Sequence, residues 1–168
     1  MAKIVFVVSQ ENYRDEELLI TKAVLEKNGV KCVVASKERG THRGMLGAVV
    51  ESELSINEID ESFDGVIFVG GIGARQYFKD KVALDLAKKY YHLGKLVCAI
   101  CIAPSILANS GILNEKKATS FSSERENLLS NGAIFTGKPV EVDGNVITAN
   151  GPSSAEAFGE AIAKRLKE

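Results

Sequence analysis

Lys95-Leu96-Val97-Cys98-Ala99-Ile100-Cys101-Ile102-Ala103-Pro104-Ser105-Ile106-Leu107-Ala108 is the stretch on which the reading of this chain turns. It follows Gly94 as an apolar run of strand length and changes character at Cys101. Beyond that point Pro104 takes a first-turn position and apolar residues recur at helical spacing. The pattern delivers Cys101 to a strand-to-helix junction. The free N–H groups and partial positive charge of a helix start stabilise a thiolate, and a sharp strand-to-helix turn presents the next residue's N–H to an oxyanion. Cys101 is therefore the candidate nucleophile, with a thiol expected to ionise below the ordinary ~8.5. The Ile102 N–H is the candidate donor.

Other uses of the cysteines are weaker fits. Cys98 and Cys101 spell C-x-x-C, the spacing of a redox pair or half a zinc site. Residues three apart along a strand are separated by roughly 10 Å, beyond the ~7 Å that a disulfide bridges. No second C-x-x-C completes a zinc tetrahedron. Cys98 and Cys32 read as small apolar fillers, and neither a metal nor a cofactor is expected.

The chain has 168 residues, 45% hydrophobic and 26% charged, enough for one domain over residues 1–168 with a sizeable core. Lys and Arg number 21 against 22 acidic residues, so the net charge of -1 gives no electrostatic case for nucleic acid or an anionic membrane surface. Ile4-Val5-Phe6-Val7-Val8 is too short to span a bilayer and reads as a strand. Three cysteines without a secretory signal suit a reducing compartment, and the expected location is the cytoplasm.

In chain order, Ile4 to Val8 is a buried parallel strand, followed by a polar loop in which Asn12 is a candidate cap. A helix is predicted from about Tyr13 to Asn28, then a strand over Val30 to Ala35, a β–α–β start that implies parallel pairing. The glycine-punctuated segment 37–64 is expected to be loop with a hairpin over Met45 to Leu54 and a short helical turn capped by Ser55 or Asn57. Val66 to Val69 reads as a strand that runs into Gly70-Gly71-Ile72-Gly73-Ala74, and Lys79 to Leu93 as an amphipathic helix. Short strands are predicted at Ala118 to Phe121, Ala133 to Phe135, Val140 to Val142 and Val146 to Thr148, with an Asp143-Gly144 turn. Ser153 or Ser154 caps the closing helix. The alternation specifies an α/β sandwich of three layers with a mostly parallel sheet.

Ligands of such sheets sit beyond the carboxyl ends of the strands, so Cys101 and Gly70-Gly71 share one rim. Glycine there lets backbone approach a ligand closely, and the Gly71 N–H joins Ile102 as an oxyanion donor, with Gly70 accessory. Gly71-Ile72-Gly73 also begins a dinucleotide-type G-x-G, but the third glycine position is Gln76, so no nicotinamide cofactor is expected.

Ala99-Ile100-Cys101-Ile102-Ala103-Pro104, the turn Gly70-Gly71-Ile72-Gly73-Ala74, Tyr13-Arg14-Asp15-Glu16-Glu17-Leu18, and Asp143-Gly144-Asn145-Val146-Ile147-Thr148-Ala149-Asn150-Gly151-Pro152 together resemble the ThiJ/PfpI family. The similarity spans almost the whole chain in the right order. It implies a flavodoxin-like, class I glutamine amidotransferase-like sandwich with a cysteine at the elbow, and an assembly that is a homodimer or larger. It also assigns to Glu17 the carboxyl that touches the nucleophilic sulfur. Periodicity alone does not choose Glu17 over Glu16. A carboxyl in a dry pocket has a raised pKa and can donate its proton to a thiolate near neutral pH.

Three positions depart from the family pattern. Ile102 stands where PfpI-type peptidases carry a histidine, and Arg75 stands at about the place of their glutamate. Thr119-Ser120-Phe121 runs where the deglycase branch has its histidine. His42 and His92 are the two histidines; His92 ends a helix, and His42 lies in the Arg39-to-Gly47 segment as a possible accessory group. The expected activity is cysteine-dependent chemistry of glyoxalase or deglycase type on small reactive carbonyls or modified protein side chains. The alternatives are a cysteine redox sensor or chaperone-like stress protein, and an intracellular cysteine peptidase, for which the sequence shows no base.

Overall fold

A computed structural model describes residues 1–168. In chain order the elements are β1 (Lys3–Val7), β2 (Glu11–Tyr13), α1 (Asp15–Lys27), β3 (Lys31–Ser36), β4 (Gly40–Gly44), β5 (Val49–Ser52), β6 (Leu54–Ser55) and β7 (Gly65–Phe68). There follow α2 (Lys81–His92), β8 (Leu96–Ile100), α3 (Pro104–Ser110), β9 (Lys117–Ala118), α4 (Arg125–Ser130), β10 (Ile134–Phe135), β11 (Val140–Asp143), β12 (Val146–Ala149) and α5 (Ala155–Leu166). The central sheet has seven strands in the order β11-β12-β8-β7-β1-β3-β6. Only the β11–β12 hairpin is antiparallel.

Strand periodicity divides the core. Val5, Val7, Val66, Phe68, Val97 and Ala99 face α2 and α3, where Leu86, Tyr90, Ile106 and Leu107 cover them. Ile4, Phe6, Ile67, Cys98, Ile100 and Ile147 face the other way, under Leu18 and Leu25 of α1 and Phe158 and Ile162 of α5. Successive side chains of a strand point to opposite faces, so a run apolar at every position requires cover on both. The result is the predicted α/β sandwich with a mostly parallel sheet. No helix is long and apolar enough to cross a membrane.

Several local expectations are corrected. The hairpin in segment 37–64 does not start at Met45: its first strand is β4, in place of the expected loop, and Met45 to Ala48 is its turn. β4 also pairs with β2, so Glu11 and Tyr13 belong to a small second sheet rather than to a polar loop. Asn12 does not cap α1; it takes φ +63 within that strand, and Arg14 occupies the cap position. Ser55 does cap a short helical turn, through a reciprocal box with Glu58. The start of α2 is fixed by Asp80, whose carboxylate accepts the N–H groups of Val82 and Ala83.

Candidate active site

β8 ends at Ile100, and Cys101 adopts φ +66, a conformation that costs a non-glycine residue of order 1–3 kcal/mol. Two backbone hydrogen bonds hold it there: Cys101 N–H donates to Ala149 O at 3.0 Å, and Phe121 N–H donates to Cys101 O at 2.8 Å. These tie the turn to β12 and to the loop after β9. Pro104 then opens α3 with its fixed φ and no N–H to leave unpaired.

The Gly70-Gly71 turn follows β7, the neighbour of β8, so the two meet on the carboxyl rim. A Cβ on Gly70 would lie 2.5 Å from Glu17 Oε1 and 2.6 Å from Cys101 Cβ. Gly70 is the gap through which the acid and the cysteine approach each other. Gly71 takes φ +98 and packs against the backbone of Asn12 to Arg14, which also excludes a side chain. The N–H groups of Gly71 and Ile102 lie beside the Cys101 sulfur, where they favour its anion.

Glu17 reaches this point from the first turn of α1 and is fully buried. Its Oε1 accepts the Gly70 N–H at 2.9 Å. Its Oε2 is buried without a hydrogen-bond partner, and the Cys101 thiol is the polar side chain that the carboxyl meets. Burial pushes the Glu17 carboxyl up to about 7, against the hydrogen bonds from Cys101 and Gly70 and the charge of Arg14. Burial, followed by the charge of Glu17, pushes the Cys101 thiol up to about 12, against the Gly71 and Ile102 N–H groups. The expectation of a lowered thiol pKa is thus corrected for Cys101, because burial, and after it the charge of the neighbouring carboxyl, disfavours the thiolate. The thiol's hydrogen bond favours the carboxylate and the carboxylate's charge disfavours the thiolate, so the two groups titrate as a coupled pair.

His42 is not brought to the thiol. It is buried on β4, with Nδ1 bonded to Gln10 O at 3.0 Å and Nε2 to Ser52 Oγ at 2.7 Å. Both ring nitrogens serve the second sheet. His92 is exposed at the end of α2. No three His, Cys, Asp or Glu side chains converge to hold a metal ion. A cavity of about 340 Å³ opens above the sulfur, with Arg14, Met45, Arg75, Phe121 and Ser123 in its lining.

Asp15 has a role that its place in the first turn of α1 does not disclose. Its buried carboxylate accepts Leu46 N–H at 2.8 Å and Ala48 N–H at 2.7 Å, which pins the hairpin turn so that Met45 walls the cavity. A Cβ on Gly44 would meet that carboxylate at 2.6 Å. An acid in a helix's first turn normally signals only dipole complementarity; Gly44, in the strand that the turn follows, is the signal available in the sequence.

A family model described as the DJ-1/PfpI family matches residues 2–165. A protein of Methanocaldococcus jannaschii is 39% identical over 99% of this chain and 83% of its own length. The deglycase PfpI of Pyrococcus furiosus is 30% identical over 98% of this chain and 99% of its own. The solved ThiJ/PfpI domain protein of Brachyspira murdochii superposes with a TM-score of 0.96 at 36% identity, covering 98% of this chain and 96% of that one.

Proposed function

This chain belongs to the DJ-1/PfpI family, and from that premise we propose that Cys101 is the nucleophile of glyoxalase- or deglycase-type chemistry on reactive carbonyls. The observation that carries the reading is the convergence of three groups on a strained elbow cysteine that opens to a cavity: two backbone N–H donors, and behind them a buried acid with one oxygen unpartnered. Several relatives bear the name deglycase.

The reactive form of the pair places a proton on Glu17 and the charge on sulfur, where the N–H groups of Gly71 and Ile102 stabilise it. Attack on the aldehyde carbon of a 2-oxoaldehyde forms the S–C bond, and the same donors take over the carbonyl oxygen as it becomes an oxyanion. Glu17 gives its proton to that oxyanion and, now a carboxylate, carries the proton from the carbon bonded to sulfur to the adjacent former ketone carbon, while the hydroxyl proton passes to the former ketone oxygen. Water cleaves the resulting thioester and releases a 2-hydroxy acid. The net change is addition of one water, with no oxidant consumed.

Methylglyoxal supplied to the protein should yield lactate, and Cys101→Ser should abolish the yield. Turnover that survives the substitution would exclude the mechanism. The unpartnered Glu17 Oε2 favours a second reading, a redox sensor, because an oxygen added to the sulfur by peroxide would become its hydrogen-bond partner. Intact mass after mild peroxide tests it: Cys101 should gain oxygen ahead of Cys32 and Cys98.

A further inference from the structure

The geometry points to a substrate more specific than a neutral 2-oxoaldehyde: we infer that the cavity over Cys101 takes an anionic one, a 2-oxoaldehyde with a carboxylate on its far end, and that Arg75 binds the carboxylate. This rests on the carbonyl reading of Cys101. The cavity is lined by two arginines and by no aspartate or glutamate. Arg14 is already spent, since its Nε and a terminal nitrogen bond both oxygens of Glu16 at 2.9 and 3.0 Å. Arg75 makes no side-chain hydrogen bond and no ion pair, and its guanidinium is the uncommitted charge of the site.

Its position is as informative as its freedom. Arg75 lies in the short helical turn Ile72–Tyr77 that begins directly after Gly71, and Ala74 N–H bonds back to Gly71 O at 3.0 Å. Gly73 of the same turn is pressed against Glu11 O and Ser9, and Ala74 is fully buried. One backbone segment therefore carries both the oxyanion donor and the arginine, with its inner face anchored. Between them the walls are apolar, formed by Met45, Ile72, Phe121 and Pro152, which suits methylenes linking the reactive end to the charged end.

Electrostatics give the arginine a task. Above neutral pH the Cys101–Glu17 pair carries negative charge, which repels an anionic substrate unless a cation faces it. A guanidinium meets a carboxylate through two parallel N–H···O bonds, and apolar walls strengthen that pairing relative to water.

The test compares 4,5-dioxopentanoate with 2-oxopentanal, the same 2-oxoaldehyde with a methyl group in place of the carboxylate. In the intact protein kcat/KM should favour the anion by about tenfold or more, the size of one charge-assisted pairing. Arg75→Gln should reduce that ratio at least fivefold, and Arg75→Lys should restore part of it. Lys88→Gln, which removes one charge on the exposed face of α2, should leave it unchanged. Equal use of the two aldehydes, or a ratio that Arg75→Gln does not move, overturns the inference.

Binding is read separately from chemistry, with 4-oxopentanoate, which lacks the aldehyde, titrated into the Cys101→Ser protein. Saturable binding that Arg75→Gln weakens at least fivefold upholds the anion site even if no aldehyde is turned over. An absence of saturable binding overturns it even if methylglyoxal is consumed.

Discussion

Cys98 and Cys101 lie three residues apart in one apolar run, and the fold makes opposite things of them. Cys98 stays on β8, faces α1 and α5, and is sealed in the core, where burial drives its thiol far above the ordinary range. Cys101 steps off the strand at φ +66 and turns its sulfur toward two N–H groups, a buried acid and a cavity. Composition and hydropathy treat the two alike. One backbone torsion, and the polar groups it brings within reach, separate a packing residue from a chemical one.

The largest expected effect is on alkylation. In the native protein at pH 7.5, iodoacetamide should label Cys101 on the order of 1000-fold faster than Cys98, since a sealed thiol reacts only when the core opens. Mass spectrometry of the peptides reads the ratio, and comparable rates would erase the distinction. The labelling profile of Cys101 should rise near pH 7, as the pair loses its first proton. Glu17→Leu should move that rise above ~8.5, because burial then acts without a partner that holds the proton.

Glu17→Gln sharpens the same contrast through stability. The raised carboxyl pKa means that the folded protein retains a proton that the unfolded chain releases at lower pH. The associated stability is fully present below the ordinary carboxylate pKa and is lost as pH rises through about 7. It amounts to about 3 kcal/mol at most by linkage. The glutamine variant, free of this penalty, should be more stable than the parent at pH 8, and the gap should close by pH 4. Denaturant melts at both pH values check the sign.

Gly70→Ala should cost about 2 kcal/mol, in the range for overfilling a packed site, and should slow Cys101 labelling, because its Cβ would separate the acid from the cysteine. Smallest is Cys98→Ser, which buries a hydroxyl on the core side of β8 and should cost about 1–2 kcal/mol with the Cys101 profile unmoved. A shift in that profile would mean that the two cysteines are coupled.

Much of the frame was legible because it is written in local patterns. Doubly apolar runs marked the parallel strands, Gly94 and Pro104 bracketed the elbow strand and helix, and the glycine turn announced a close approach. The small second sheet was not legible, since Gly40-Thr41-His42-Arg43-Gly44 has neither strand composition nor alternation and is held by pairing with β2 and β5. α1 misled in a different way. Leu19 and Ile20 lie on its exposed side, and the buried face is Glu17, Leu18, Thr21 and Leu25, so hydrophobic spacing pointed away from the acid.

By itself the amino-acid sequence determined the layer order, the strand-to-helix turn at Cys101 and the glycines beside it, because hydrophobic period, turn residues and chain connectivity act over a few residues at a time. Only the tertiary structure decided that His42 is spent on Gln10 and Ser52, that Asp15 pins the hairpin turn, and that the Glu17 carboxyl is fully buried beside Cys101. Those outcomes depend on desolvation and on distances between segments remote in the chain, and neither quantity exists until the segments pack.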